Sequence, residues 1–312
     1  MKPDKLISII GPTASGKTEL ALLTASEFAG EIINVDSLNL YKHFDIGTAK
    51  PSINERNLIC HHLIDILEPE QAITVVDFVC LAERAIEIVR LKSKVPILVA
   101  GSPLYFYSLT RNSFNPPPTD NTLRNQLIQR AESEGLESLY LELKEKDLSS
   151  TLKINSYDRK RIIRALEVFY ITGHPFSTFR KSFFTSVDRY PLVKVGLKPG
   201  RVYLKDRIME RTNKMINQGL FEETRNIIRE GISINAPAFE SIGYKEALRY
   251  INDGLSLEEV KNCINMRTYK YAKHQMTWFK RDKDILWFEY DSNLEFKEVK
   301  DKIILYLRER YD

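Results

Sequence analysis

The sequence predicts an α/β fold: a parallel sheet laid down by alternating strands and helices, interrupted once by a helical insertion. Three observations predict it. The apolar run Ile7, Ile9, Ile10 passes into Gly11-Pro-Thr-Ala-Ser-Gly16-Lys17-Thr18, which has the glycine and Gly-Lys-Thr spacing of a phosphate-cradling loop. Apolar runs then alternate with amphipathic stretches as far as Ser102. Finally, Asn115-Pro-Pro-Pro118 breaks the alternation, because three prolines continue neither a central strand nor a helix.

The loop sets the chemistry. Gly11 and Gly16 let backbone amides converge on phosphate oxygens, and the following helix offers its positive N-terminal end. Lys17 is placed to hold phosphate charge and Thr18 to offer a hydroxyl to Mg²⁺. Leu20, Leu23 and Phe28 recur near the helical period, so a helix follows. This is a P-loop NTPase-like core, and the motif alone does not say whose phosphates it binds.

Next, Glu31-Ile-Ile-Asn-Val35-Asp36 reads as a buried strand delivering Asp36 to the sheet edge where ligands bind in open α/β folds. Asp36 can hold Mg²⁺ through water, accept a proton from a substrate, or cap the next turn. Tyr41 and Asp45-Ile-Gly-Thr-Ala-Lys50-Pro51 form a polar loop to which spacing assigns no role. His61 and His62 fall on opposite faces of a short strand, which favours hydrogen bonding over a zinc site with Cys60 or Asp65. Thr74 to Leu91 is an amphipathic helix, and Pro96 to Ser102 the next strand and turn.

From Thr119 to about Tyr190 the pattern is helical: Leu123, Leu127 and Ala131, then Leu136 to Leu143, then Asp158 to Tyr170. A helical domain over 116–190 inserted into a core of 1–115 and 191–312 is the simplest account. Leu192 to Leu197 restores a strand, and helices follow at Arg201 to Gln218, Phe221 to Arg229 and Ser256 to Phe279.

The 312 residues are 43% hydrophobic, enough for a substantial core. Three scattered cysteines fit a reducing compartment, and no secretory pattern or long apolar run occurs, so the expected location is the cytoplasm. A net charge of +4 does not itself argue for nucleic acid, so clustering must decide. Lys261 to Lys283 is rich in Lys and Arg with interleaved Tyr269, Tyr271, Trp278 and Phe279, and Lys153 to Arg164 forms a second basic cluster. Each can be a solvated helix face, but two beside a phosphate loop point to a gripped polyanion.

Together these segments resemble the tRNA dimethylallyltransferase (tRNA isopentenyltransferase) family. The resemblance is carried by Gly11–Thr18, Val35-Asp-Ser37, Asp45–Pro51, His61–Ile66, Arg161–Val168, Ile242-Gly-Tyr-Lys-Glu246 and Ala272–Phe279. It implies transfer of a dimethylallyl group from dimethylallyl diphosphate to N6 of the adenine 3′-adjacent to the tRNA anticodon, with Mg²⁺ as cofactor; nothing in the sequence requires more than a monomer. It assigns the diphosphate to Gly11, Thr13, Ala14, Ser15, Gly16, Lys17 and Thr18. Catalysis falls to Asp36, Ser102, Arg211 and Arg207, and metal ligation to Thr18 and Ser102. For tRNA it marks Asp36, Ser37, Leu38, Asn39, Ser102 and Arg124, the stretch Arg159, Lys160, Arg161, Ile162 and Ile163, and Gly243, Tyr244 and Lys245. On the last long helix it marks Lys273, His274, Gln275, Thr277, Trp278 and Lys280.

Departures from the family pattern are Ala100, Ser102 and Pro103 where Gly, Thr and a variable residue are usual, Asn155-Ser156 for His-Pro, and His274 for a common arginine. Ala100 and Pro103 are expected to reshape the channel for the allyl tail. A small-molecule kinase and a tRNA-binding protein without activity are the competing classes.

Overall fold

The structure, a computed structural model, describes residues 5–112, 117–181 and 187–311. Asn115 and Pro116 of the proline tract lie outside the described residues. Residues Met1–Thr110 with Asp188–Asp312 make one compact unit and Arg111–Val187 a second.

The first unit opens with β1 (Leu6–Ile10), α1 (Lys17–Glu27), β2 (Gly30–Val35), α2 (Ile53–Leu58), β3 (His61–His62), α3 (Val75–Leu91), β4 (Val95–Ala100) and α4 (Pro103–Thr110). The second unit holds α5 (Asn121–Ser133), α6 (Leu136–Lys146), α7 (Leu148–Thr151), α8 (Arg159–Thr172) and α9 (Phe176–Lys181). The first unit resumes with β5 (Leu192–Pro199), α10 (Arg201–Asn217), α11 (Leu220–Arg229), α12 (Tyr244–Asn252), α13 (Leu257–Phe279), β6 (Leu286–Tyr290) and α14 (Asn293–Tyr311). The phosphate-loop α/β fold expected from the sequence is the one observed. The region after Phe279 supplies a strand and a helix that the sequence reading did not anticipate.

Among the described residues six strands form one parallel sheet in the order β3-β2-β4-β1-β5-β6. β1 and β4 are buried along nearly their whole length, as strands covered on both faces must be, and therefore read as continuous apolar runs. The register positions the site. Ile10 pairs with Ala100, and Ala100 with Val35, so the next residues, Gly11, Gly101 and Asp36, emerge side by side from three adjacent strands.

Capping boxes fix several helix starts: Thr74 with Asp77 opens α3, and Ser256 with Glu259 opens α13. Pro103 begins α4, where its missing N–H costs nothing. One core joins the sheet to α1 and α14, a second lies under α10 to α13 around Phe44 and Tyr244, and the insert has its own around Leu127, Leu139 and Leu166. No helix among the described residues is long and apolar enough to cross a membrane.

Candidate active site

The loop after β1 turns on two left-handed residues, Ala14 at φ 62° and Gly16 at φ 78°. Gly16 has a further constraint, because a Cβ there would collide with the Phe296 ring of α14. Within the loop, the Lys17 ammonium donates to the carbonyls of Gly11 at 2.9 Å and Pro12 at 2.7 Å. The Tyr290 hydroxyl donates to the Ser15 carbonyl at 2.6 Å. Among the described residues the Ser15 hydroxyl is buried without a hydrogen-bond partner, which is the signature of a donor awaiting an acceptor.

Thr13 is held from two sides. Its N–H donates to Gln275 Oε1 at 2.8 Å, and its hydroxyl accepts from the Arg211 guanidinium at 2.8 Å. Asp36 follows β2, its Oδ1 accepting the Leu38 N–H at 3.0 Å. Burial in the cleft raises the Asp36 carboxyl above its ordinary range, against the pull of Lys17 and Arg211. Burial also lowers Lys17 to about 7, with Asp36 opposing that shift and Arg211 adding to it. Arg211 is lowered by burial, again opposed by Asp36. Three charges from three elements therefore share one field.

These groups line a cleft of about 1170 Å³, whose walls include residues 13–18, 36–39 and 45–53, with Arg207, Tyr271 and Gln275. The polar loop after Tyr41 is one wall, and its order has a cause. The Lys50 ammonium, 1% exposed, bonds Asp45 at 2.7 Å and Asp65 at 2.5 Å. Asp65 is also paired with Arg56. On the other side, the Glu223 carboxylate accepts the Ile46 N–H at 3.1 Å and the Tyr244 hydroxyl, which in turn accepts the Gly47 N–H at 3.1 Å.

Thr13 to Thr18, Asp36, Arg207 and Arg211 thus meet at one place. Ser102 stands apart from that wall: it is buried and does not line the cleft. Ala100 and Pro103 are also buried and do not line the cleft, so the expected change of channel shape is corrected: the Ala100 side chain belongs to the sheet core and Pro103 to a helix start. Gly101, next to Ala100, matters instead. A Cβ at Gly101 would collide with the Asp36 carboxylate, a constraint visible only once β2 and β4 are adjacent.

Ser37, Leu38 and Asn39 lie on the cleft wall beside Asp36. Lys273, His274, Thr277 and Lys280 are exposed along α13, and Trp278 is partly exposed with its ring 6.4 Å from that of His274. Lys245 is exposed at the start of α12, beside Gly243 at φ 105°. Besides the buried Ser102, four side chains assigned to RNA do not face solvent. Tyr244, Ile162, Ile163 and Gln275 are 0%, 0%, 5% and 1% exposed, so their side chains offer a macromolecule no surface. Tyr244 and Gln275 make polar ties, and the two isoleucines fill the core of the insert. Basic residues of the insert are partly spent internally: Arg124 and Arg164 pair with buried Glu167, Arg159 with Glu132 and Arg161 with Asp158, while Lys160 is exposed.

His62 bonds Glu31 at 2.7 Å and His61 bonds the Ile59 carbonyl at 2.7 Å. Glu31, Cys60 and His62 lie close together, yet Lys92 and Lys94 also bind the Glu31 carboxylate, at 3.0 Å and 2.8 Å.

The family model described as IPP transferase matches residues 39–282 of this chain. The chain belongs to the IPP transferase family. Relatives include a tRNA dimethylallyltransferase of Dictyoglomus turgidum, 44% identical over 91% of this chain and 87% of its own length. Another, from Geobacter metallireducens, is 41% identical over 93% of this chain and 94% of its own length. Among solved structures, a full-length tRNA isopentenylpyrophosphate transferase from Bacillus halodurans superposes with a TM-score of 0.69 at 33% identity, covering 98% of both chains. A eukaryotic dimethylallyltransferase acting on tRNA shares the fold, with a TM-score of 0.81 at 24% identity over 98% of this chain and 79% of that one. The part of the chain beyond residue 282 lies outside the family model but supplies Tyr290 and Phe296, which brace the phosphate loop.

Proposed function

We infer that this chain transfers a dimethylallyl group from dimethylallyl diphosphate to N6 of the adenine 3′-adjacent to the anticodon of tRNA. The observation that carries the residue roles is the meeting of Asp36, Lys17 and Arg211 in one cleft, beside a phosphate loop whose Ser15 hydroxyl has no partner among the described residues.

An exocyclic adenine amine is a poor nucleophile because its lone pair is delocalised into the ring. In the transfer, N6 forms a bond to the allylic carbon, the carbon–oxygen bond breaks, the electron pair leaves with the diphosphate, and one N6 proton passes to Asp36. A carboxylate whose pKa burial has raised is the stronger base when ionised, and Lys17 and Arg211 favour its ionised form. The same two cations and the loop amides stabilise charge developing on the leaving diphosphate. The Thr18 hydroxyl, a hard oxygen donor at the cleft, fits Mg²⁺ and leaves the Asp36 carboxylate as the proton acceptor. When bound, Mg²⁺ would neutralise diphosphate charge. Ser102, buried and off the cleft wall, is the weaker candidate as its ligand.

The adenine must leave the anticodon-loop stack to present N6, and the exposed cations of α13 supply phosphate contacts for holding the RNA. Incubation with tRNA, Mg²⁺ and labelled dimethylallyl diphosphate, followed by nucleoside mass spectrometry, should yield N6-dimethylallyladenosine. Transfer of label from γ-labelled ATP instead would establish a kinase, and retention of RNA with neither transfer a binding protein.

A further inference from the structure

Gln275 stands in the middle of the basic stretch of α13, yet its side chain is 1% exposed and points away from the cations on either side. Its Oε1 accepts the Thr13 N–H of the phosphate loop at 2.8 Å, and its Nε2 donates to the Gly101 carbonyl at 2.5 Å. Tyr271, one turn earlier, lies beside Gln275 and lines the same cleft. Thr13 also receives Arg211, and Gly101 packs directly against the Asp36 carboxylate. One planar amide thus bridges the loop after β1 to the turn after β4, and through them fixes the spacing of the phosphate loop from Asp36. A glutamine suits this: it alone offers one acceptor and one donor at that reach without charge.

We propose that Gln275 is a positioning residue of the diphosphate site rather than an RNA contact, setting the geometry in which the phosphate loop and Asp36 address the prenyl donor. The proposal rests on the prenyl-transfer reading. Removing the amide leaves the Thr13 N–H and the Gly101 carbonyl without this partner, and the loop is free to shift relative to Asp36.

The test is steady-state kinetics of the full chain with tRNA and dimethylallyl diphosphate varied in turn. Gln275→Leu should raise the KM for the diphosphate at least about fivefold and lower kcat, with the KM for tRNA within about twofold. Gln275→Asn, which keeps the amide but is one methylene short, should show the same donor-side defect and serves if the leucine variant does not fold. Gln275→Glu, which keeps the acceptor for Thr13, should recover part of the donor KM. A variant with a melting temperature near wild type and an unchanged donor KM would overturn the proposal, as would a defect confined to the KM for tRNA. The wild-type arm reports separately on the function. Should it transfer no prenyl group, that reading falls, and the same comparison is made on inorganic pyrophosphate affinity by calorimetry, where equal affinities would again overturn the role of Gln275.

Discussion

Burial pushes Lys17 and Asp36 toward neutrality while their opposite charges hold them ionised, and that tension makes both measurable. For Lys17 the sign is definite. Its folded value of about 7 lies below the ordinary 10.5, so the unfolded chain binds more protons between those limits. The cost to stability is full below about pH 7 and is relieved as pH rises toward 10.5. A bound diphosphate reverses the preference, so binding at pH 8 should take up a proton, in an amount up to one per site. Calorimetry with pyrophosphate in two buffers of different ionisation heat reads this directly, and Lys17→Met should abolish the uptake. Asp36→Asn should lower transfer by about 10²–10⁴-fold while leaving tRNA affinity within about twofold, since it removes the proton acceptor and no large contact surface. Retained turnover would take Asp36 out of the base role. Both residues were legible in the sequence, because a phosphate-loop lysine and a strand-end aspartate announce themselves by position. The environment that tunes them was not.

At the scale of elements, the strand ends decide how closely the loops approach. Gly101→Ala places a methyl against the Asp36 carboxylate and should reduce transfer by about 10²-fold through misplacement of the base. Ala100→Gly, one residue earlier and facing the sheet core, should leave activity within about twofold and cost about 0.5–1 kcal/mol of stability. An allele pair with the reverse pattern would show that the family difference at position 100, not the glycine after it, governs the site. Tyr244→Phe leaves the Gly47 N–H and the Glu223 carboxylate short of a partner, so a loss of about 1–3 kcal/mol is expected in denaturant unfolding. Periodicity located the long helices, and capping residues such as Ser256 marked their starts. It did not reveal β6 and α14, where partly exposed edge-strand residues and a mixed helix face blur the apolar pattern.

At the scale of the whole molecule, recognition of a polyanion depends on which cations remain outward. Several arginines of the insert are already paired with glutamates and aspartates, whereas Lys273 and Lys280 on α13 are exposed. The Lys273→Glu, Lys280→Glu double variant should therefore weaken tRNA binding and reduce the salt slope by about one per lost phosphate contact. Unchanged slope in fluorescence anisotropy titrations would remove this face from the RNA site. The basic runs were plain in the sequence, but residue counts could not separate an arginine reaching solvent from one consumed by Glu167 or Glu246.

The sequence by itself determined the fold class, the phosphate loop, the aspartate after the second strand and the family, because these rest on local spacing that survives without knowing what packs where. Only the tertiary structure decided that Tyr244 and Gln275 are internal ties, that Gly101 makes room for Asp36, and that Tyr290 and Phe296 brace a loop nearly three hundred residues earlier. The physical reason is that burial and hydrogen-bond partnership are properties of neighbours in space, and parallel strands bring together residues that the chain keeps far apart.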